Sequence, residues 1–254
     1  ALTSAVPSPS SMLSAATGGL SDVRSVGDLT NFLKGAISRR AAFPAQWDDQ
    51  AAEFTCSNER LNQVWELCRY SIKATAFAGI YVDGDRERIP YEGDAYLNQL
   101  SDYAVNGATQ MARDTFDHLL AQGTWPTEWA YHMVFMAHAD WWRTADRAWL
   151  ETRYPALRAK LLLERVGPDG LVTSTPEQIA KGDIVDWPKG ERDGFVFTSV
   201  NSVINSFYLR ALEMMIEMGR ALGRDREVAE YTAYYEQGLA AYRAKFFIPD
   251  TGLY

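Results

Sequence analysis

The chain has 254 residues, of which 47% are hydrophobic and 13% aromatic, which is ample for the buried core of one large domain or two small ones. Its 33 acidic and 25 basic residues give a formal net charge of −8, and no basic cluster exceeds Arg39-Arg40, which argues against nucleic acid as a partner. No apolar run approaches the roughly 20 residues of a membrane span and no secretory signal pattern opens the chain, so we expect a globular protein, cytoplasmic or secreted, with no membrane partner.

The first 50 residues differ in composition from the rest. Residues 1–28 are rich in Ser, Ala, Gly and Pro without a sustained period, which predicts a linker or an irregular arm. A short amphipathic piece follows from about Leu29, and Pro44 ends any helix there. We therefore predict an irregular N-terminal arm over residues 1–50 and a helical domain over 51–254.

From about residue 57 the hydrophobic period becomes helical. Ser57 offers an N-cap for a helix that runs to about residue 77. Its apolar side chains fall on one stripe, which consists of Leu61, Val64, Trp65, Cys68, Ile72 and Ala76. Residues 95–121 then predict one long helix, or two that join near Asn106-Gly107, before Gly123-Thr124-Trp125-Pro126 breaks the pattern.

Two further helices are predicted in the middle of the chain. Thr127 can cap one that runs to about Arg143, and another spans roughly residues 146–165. Residues 166–196 then show no helical period but many turn residues. Because structureless connections of this length are uncommon in compact domains, we interpret them as a long functional loop.

The clearest helical stripes come last. One runs from about Val200 to near Gly223, and a final helix runs from about Asp225 to Phe247. The final helix is rich in aromatic side chains at helical spacing, which is more typical of packing between helices than of ligand stacking.

Together the pattern predicts an all-α array of antiparallel hairpins, since five to seven long helices follow one another without any convincing alternation of period two. An α-solenoid and a closed double ring of helices both fit, although no fixed repeat of 20–50 residues favours the solenoid. In a hairpin ring, the loops that carry residues 83–94 and 183–187 would open at the same end. We expect the functional cleft at that shared rim.

The stretch over residues 83–94 is the strongest candidate for an active site. Five of its twelve residues are carboxylates and two are arginines. An apolar run leads in over residues 78–82, and the start of an apolar-periodic helix leads out over 95–100, so we expect both ends to be anchored in the core. Polar loops held by buried elements are where binding and catalysis tend to lie.

Clustered carboxylates with aromatic neighbours suggest sugar chemistry. A glycosidase needs one protonated carboxyl to give a proton to the leaving oxygen and a second carboxylate to activate water or attack carbon. Glu87 is the best candidate for the acid, because neighbouring carboxylates would favour its protonated form while Arg86 and Arg88 order the others. Flat apolar surfaces for pyranose rings could come from Tyr91, Trp125, Trp129 and Trp187.

Other interpretations of these residues stay open. An acidic loop is more often a calcium-like site or a salt-bridged turn than a catalytic dyad, and Asp83-Gly84-Asp85 fits the start of a calcium loop, although the later ligands are absent. Asp186-Trp187-Pro188 alone is an ordinary turn. Glu128 beside Trp129 could be a first-turn acid that the helix dipole favours.

Cysteines and histidines carry no ligand pattern. Cys56 and Cys68 are 12 residues apart, which on one helix separates them by roughly 18 Å, too far for a disulfide. His132 and His138 are six residues apart and turn away from each other on a helix, and His118 completes no metal-binding spacing. No glycine-rich phosphate loop appears either. We expect neither a metal nor a cofactor.

At the acidic loop the sequence resembles the catalytic domain of the α-L-rhamnosidases of glycoside hydrolase family 78, whose motif is Asp, then Arg-Glu-Arg, an aromatic residue and Gly-Asp. The matching residues here are Asp83, Arg86-Glu87-Arg88, Tyr91 and Gly93-Asp94. Residues 54–65 also look like the first barrel helix of that family, and residues 125–129 and Asp186-Trp187 look like its later rim segments. The resemblance covers roughly residues 50–254.

This resemblance implies an (α/α)6 barrel of six helical hairpins and an inverting hydrolysis of terminal α-L-rhamnosides, a carbohydrate substrate. It implies that Glu87 is the general acid and that Asp83, Arg86, Tyr91, Asp94 and Trp187 hold the sugar. With Trp125, Glu128, Trp129 and Asp186 from the rim segments, these residues form the expected substrate-binding set.

The chain departs from the family pattern at two points and in length. The family commonly has Trp where Tyr91 stands, and Cys-Pro where Gly84-Asp85 stands, so the sugar preference can differ. A full twelve-helix barrel needs more residues than follow Phe54, and the general base of the family is a glutamate in the second half. We therefore expect about the first half of the barrel here, the base beyond Tyr254, and little or no activity from these residues alone.

Two functions of other classes remain as alternatives. One is a non-catalytic carbohydrate-binding or helical scaffold protein that uses the same rim. The other is a lyase acting on acidic polysaccharides, which the acidic charge and the scarcity of histidine disfavour.

Overall fold

The computed structural model describes residues 47–83, 87–185 and 194–254, and within these ranges it contains helices and no β-strand. The α-helices are α1 Glu59–Thr75, α2 Glu92–Val105, α3 Gln110–Ala121, α4 His132–Thr144, α5 Arg147–Leu157, α6 Pro176–Lys181, α7 Ser202–Leu222 and α8 Asp225–Phe246. Short 3-10 helices lie at Ala76–Ala78, Thr127–Tyr131, Arg158–Leu161 and Leu163–Arg165. The arm predicted for residues 1–50 lies almost wholly outside the described residues, and its boundary stays a prediction.

The helices form two layers. In the first layer α2 packs beside α4, and α4 packs beside α7. In the second layer α3 packs on α2 and α4, α5 packs on α4 and α7, and α8 packs along α7. Consecutive helices therefore pair across the layers as hairpins, which confirms the predicted all-α hairpin array.

The core lies between the two layers. Its largest fully buried side chains include Tyr131, Tyr154, Tyr208, Tyr231 and Phe116. Burial of a large apolar side chain such as that of Phe116 contributes roughly 1.5–3 kcal/mol. The predicted packing role of the aromatic residues of α8 is confirmed, because Tyr231 is buried and its aromatic neighbours on the helix pack against the same core.

The ends of the first helices differ in detail from the sequence prediction. The N-cap of α1 is Asn58, whose side chain accepts the backbone N–H of Arg60 at 3.0 Å, so the assignment of Ser57 was wrong. Residues 95–121 form two helices, since the chain is extended at Asn106 and the Asn106 amide donates to the Asp102 carboxylate at 3.1 Å. At both places an asparagine side chain forms a local hydrogen bond that competes with continuation of the helix.

Two predicted helices in the middle of the chain have different bounds. Thr127 does not cap an α-helix, because Thr127–Tyr131 is a 3-10 helix and α4 begins at His132. The helix predicted for residues 146–165 ends as α5 at Leu157, and Leu162 takes the left-handed conformation with φ 52 between two 3-10 turns. Hydrophobic spacing does not distinguish α-helix from 3-10 helix over such short stretches.

The long loop predicted for residues 166–196 contains a helix. Thr175 and Gln178 form a reciprocal capping box, and Pro176 occupies the first helical position of α6. Both features are sequence signals for a helix start, so the prediction of an unbroken loop was wrong here. In contrast, α7 and α8 match the predicted helices closely, and Gly223 closes α7 with φ 72.

Helix α1 presents its apolar stripe mostly to solvent within the described part of the chain. Leu61 is 52% exposed and Val64 49% exposed, whereas Ala76, just past the end of α1, is buried. Cys56 and Cys68 are free thiols, as predicted. None of the described helices combines the length and the apolar character that crossing a membrane requires.

Candidate functional site

A cleft of about 370 Å³ opens at the N-terminal ends of α2 and α4. Its lining residues come from three segments that are distant in sequence: Asp83, Glu87, Tyr91, Asp94, Trp125, Trp129 and Ile184. The first six belong to the set predicted from the sequence. The acidic loop and the loop after α6 therefore meet at one rim, as the hairpin arrangement predicts.

The acidic loop folds back on itself. The backbone N–H of Asp83 donates to the carbonyl of Ile89 at 2.8 Å, and the N–H of Arg88 donates to the carbonyl of Asp83 at 3.1 Å. Arg88 takes a left-handed backbone conformation with φ 58, which helps the chain to reverse. This closure returns Glu87 to the side of Asp83, so that both carboxylates face the cleft.

The segment before the loop is anchored in the core. Tyr81 and Val82 are buried. The N–H of Tyr81 donates to the Thr115 hydroxyl at 2.9 Å, and the Tyr81 hydroxyl donates to the buried Asp102 carboxylate at 2.5 Å. These two bonds tie the start of the acidic loop to α3 and to α2, which confirms the expected apolar lead-in.

Tyr91 connects the acid candidate to the aromatic wall. Its hydroxyl donates a hydrogen bond to the Glu87 carboxylate, and this bond, with partial burial, raises the pKa of Tyr91 to about 12. Tyr91 therefore keeps its proton, and remains a donor, throughout the physiological pH range. Its ring meets the Trp129 ring edge-on, with centroids 5.1 Å apart and planes at 73°.

A third carboxyl, Asp94, lies half-buried in the first turn of α2. Burial is the main cause that raises its pKa, and the negative charges of Asp83 and Glu87 raise it further. Three carboxyl groups in one cleft resist simultaneous ionisation, since each charge disfavours the next. The site can therefore retain a proton at a pH where an isolated aspartate has lost it.

The aromatic wall depends on a glycine. A Cβ atom on Gly93 would lie 3.2 Å from Nε1 and 3.3 Å from Cε2 of Trp129, so the missing side chain lets the indole lie against the first turn of α2. Trp125 also lines the cleft, is 54% exposed and offers an accessible ring surface. Aromatic faces of this kind suit the apolar face of a sugar ring.

Two buried glutamates hold the segments that carry this wall. Glu92 accepts hydrogen bonds from the backbone N–H of Thr124 at 2.9 Å and from the Thr124 hydroxyl, next to Trp125. Glu128 is 1% exposed and accepts hydrogen bonds from the backbone N–H groups of Ile184 and Val185. Neither glutamate is among the described residues that line the cleft, and both carboxylates are buried.

The remaining predicted site residues, Arg86, Asp186 and Trp187, lie outside the described residues. Sequence reasoning missed Ile184, an apolar residue whose only signal is its position beside Asp186-Trp187. It also gave no individual role to Glu92, which it counted only as one carboxylate of the acidic stretch.

The histidines pack into the fold. Burial lowers the pKa of His132 to about 4, and its ring contacts Tyr96, Phe135 and Phe207. His138 pairs with Glu217 at 2.7 Å. Over the described ranges, no three His, Cys, Asp or Glu side chains are grouped so that they could hold a metal ion.

Comparison with known proteins gives one family match. The model of the bacterial alpha-L-rhamnosidase six-hairpin glycosidase domain matches residues 49–254. The comparison with curated proteins gives no match.

Two solved structures share the fold. A GH78 family rhamnosidase of Bacillus sp. GL1 is 19% identical, with a TM-score of 0.68 over 81% of this chain. A rhamnosidase from Klebsiella oxytoca with rhamnose bound is 16% identical, with a TM-score of 0.67 over 79% of this chain. The present chain spans 22% and 41%, respectively, of the length of those two proteins.

Proposed function

The chain belongs to the family of bacterial α-L-rhamnosidase six-hairpin glycosidase domains, and from that premise we propose that its cleft binds terminal α-L-rhamnosides, which the complete enzyme hydrolyses with inversion. Membership confirms the family and the six-hairpin fold class that the sequence predicts. The substrate, the stereochemical course and the role of each residue are the proposal.

One observation carries the proposal. Asp83, Glu87 and Asp94 converge in a single cleft with three aromatic rings. Carboxyl groups can protonate a leaving oxygen and stabilise the positive charge that develops on the sugar, and the rings can pack on its apolar face.

We assign Glu87 as the general acid. Its carboxyl donates a proton to the glycosidic oxygen as the bond between that oxygen and the anomeric carbon breaks, and the alcohol leaves with the proton. The Tyr91 hydroxyl donates to the carboxylate that forms on Glu87, which stabilises the charge as it develops. Asp83 and Asp94 stabilise the positive charge on the sugar from the same wall.

The inverting course requires a water molecule and a base on the opposite face of the sugar. The carboxylates that line the described part of the cleft all belong to the acidic loop and the first turn of α2. We therefore propose that the base comes from another part of the complete barrel. The 254-residue chain alone should bind L-rhamnose and turn over an aryl rhamnoside slowly or not at all.

The test is Glu87→Gln in the complete enzyme, with rhamnosides of poor and good leaving groups. Turnover of the poor leaving group should fall by orders of magnitude, and turnover of the activated aryl rhamnoside should fall much less, since only the first needs the proton. Equal losses would remove Glu87 from the acid role. Asp94→Asn in parallel would reveal whether the half-buried aspartate holds the proton instead.

A non-catalytic sugar-binding protein is the alternative. It predicts that L-rhamnose binding survives Glu87→Gln and that the complete protein hydrolyses no member of an aryl glycoside panel.

A further inference from the structure

The part of the cleft wall that Ile184 forms is held by a buried carboxylate. Glu128 lies in the 3-10 helix Thr127–Tyr131, directly before the cleft residue Trp129, and is 1% exposed. Its Oε1 accepts the N–H of Val185 at 3.0 Å and that of Ile184 at 3.2 Å, and its Oε2 accepts the N–H of Ile184 at 3.2 Å. One side chain thus binds two consecutive backbone donors of a distant loop.

The loop needs such a restraint. Val185 has φ 55, a left-handed conformation that costs free energy for a β-branched residue. Ile184, its neighbour, lines the cleft. A strained backbone persists where its surroundings hold it in place, and the carboxylate accepts hydrogen bonds at this point of the loop.

Further contacts join the same two segments. The N–H of Thr127 donates to the carbonyl of Gly182 at 2.9 Å. Arg165 donates to the Thr127 hydroxyl at 3.2 Å and pairs with the buried Asp183 at 3.5 Å. The hydrogen bonds of Glu128 are therefore part of a larger set of contacts that join the 3-10 helix that carries Trp129 to the loop that carries Ile184.

We propose that Glu128 is a positioning residue: it holds Ile184 and Val185 by their backbone N–H groups and so fixes the part of the cleft wall that Ile184 forms. It acts on the sugar through Ile184 rather than by touching it. This differs from the direct sugar contact expected from the sequence. The inference rests on the proposed function only where the affinity for L-rhamnose is measured.

The hydrogen bonds of Glu128 predict how strongly each substitution at this position should disturb the loop. Gln keeps one acceptor oxygen, which at the Oε1 position can still bind both N–H groups. Asp keeps the charge but withdraws the carboxylate by one methylene, about 1.5 Å, which puts both donors beyond hydrogen-bond distance. If Glu128 positions the loop, Glu128→Gln should have a small effect on the two amides, and Glu128→Asp and Glu128→Ala should have large effects. If the negative charge of Glu128 is what matters, Glu128→Gln should have a large effect instead.

Glu128→Gln should also leave the fold intact. Burial is the first cause that raises the pKa of Glu128, the nearby Asp183 charge raises it as well, and the backbone donors oppose both. A neutral side chain of the same shape avoids the cost of burying the charge, while its NH2 group takes the Oε2 position and gives up one of the two contacts to the Ile184 N–H. Glu128→Gln remains an informative variant if Glu128→Ala does not fold.

The first measurement is amide hydrogen exchange of Ile184 and Val185 in the 254-residue chain. We expect exchange to accelerate at least tenfold in Glu128→Ala and Glu128→Asp, and much less in Glu128→Gln. Asp140→Asn is the matched control. Asp140 is also 1% exposed, but it lies in α4, 12 residues after Glu128, which corresponds to roughly 18 Å of helical rise. This substitution should lower the melting temperature without releasing these two amides.

The second measurement is the affinity for L-rhamnose, which should weaken about tenfold in the Asp and Ala variants and stay near the wild-type value in Gln. Unchanged exchange of the two amides in every variant would overturn the inference. A variant that loses affinity for L-rhamnose while both amides stay protected would also overturn it, because Glu128 would then contact the sugar directly. If the wild-type chain binds no L-rhamnose but the exchange order holds, the positioning of Ile184 stands and only the proposed function fails.

Discussion

Tyr91 donates its phenolic hydrogen to the carboxylate of Glu87 while its ring rests edge-on against Trp129. The two contacts can be separated by a single substitution. Tyr91→Phe removes the donor and keeps the ring, so the aromatic wall should remain in place. Hydrogen bonds to charged groups contribute about 1.5–3 kcal/mol, and the solvent-facing position of Glu87 reduces that value.

We therefore expect Tyr91→Phe to lower kcat of the complete enzyme on an aryl rhamnoside by about tenfold, with little change in KM. Steady-state kinetics over a range of substrate concentrations measures this directly. Tyr91→Ala serves as the comparison, since it also removes the ring and should raise KM. A Phe variant with raised KM and unaltered kcat would show that the hydroxyl binds sugar instead of assisting Glu87.

Gly93→Ala tests the close approach of α2 to Trp129. The new methyl group would lie 3.2 Å from the indole Nε1, so the ring has to shift away from the helix. Overpacking of this kind typically costs about 1–3 kcal/mol, partly offset by the higher helix propensity of alanine. We expect weaker L-rhamnose binding and a lower melting temperature.

The control for Gly93→Ala is Gly107→Ala. A Cβ atom on Gly107 meets only Ala51, at 4.0 Å, so the substitution adds no crowding. Calorimetric titration with L-rhamnose should give the wild-type affinity for this variant. Equal binding by both variants would mean that Trp129 takes no part in the sugar site.

The sequence predicts the fold well where patterns are continuous. The helices α7 and α8 have unbroken stripes, and Gly223 and Asp225 mark the boundary between them, so the pattern predicts both to within a few residues. The bends at Leu162 and the 3-10 helix at Thr127–Tyr131 were not predicted, because they result from tertiary contacts. One such contact is the bond from Arg165 to the Thr127 hydroxyl.

The candidate site shows the same division. Asp83, Glu87, Tyr91 and Asp94 lie close in sequence, so the acidic motif alone brings them together. Ile184 reaches the cleft because Glu128 binds its backbone N–H, and a backbone contact between distant segments leaves no residue pattern. For the same reason the sequence could describe Glu128 only as an acid in a first turn.

Asp94 makes the stability of the chain depend on pH. Its pKa is raised in the folded state, so the folded chain holds the proton more tightly than the unfolded chain does. The resulting stabilisation is fully present below the unfolded pKa and is lost as the pH rises through the folded pKa. Asp94→Asn removes this loss and should be as stable as the wild type, or more stable, at pH 7.

Melting temperatures at pH 4 and pH 7 measure the effect. At each pH the quantity of interest is the melting temperature of Asp94→Asn minus that of the wild type. We expect this difference to become more positive at pH 7. Asp146→Asn provides a control of opposite sign, because the N–H of Trp149 and the Arg113 guanidinium lower the pKa of Asp146. Its loss of stability should be present at both pH 4 and pH 7 and should shrink only at lower pH, because the pKa of Asp146 lies below the ordinary value of an aspartate.

Gly219→Ala tests the packing of α5 and α8 on α7. A Cβ atom on Gly219 would lie 2.5 Å from the Tyr154 hydroxyl and 2.8 Å from Cγ2 of Val228. The same hydroxyl donates to the Met215 carbonyl at 2.9 Å, in a buried setting. The methyl group must therefore displace the hydroxyl and break its bond, which we expect to lower the free energy of unfolding by about 1–3 kcal/mol.

A double-mutant cycle with Tyr154→Phe identifies the clash. Tyr154→Phe alone should cost about 1 kcal/mol, because it removes the hydrogen bond that the hydroxyl donates to the Met215 carbonyl. In the Gly219→Ala background the same change also removes the oxygen that the methyl group meets, so it should cost less or become stabilising. Urea unfolding of the four proteins gives the coupling, and strictly additive free energies would show that the methyl group is accommodated through Val228 instead.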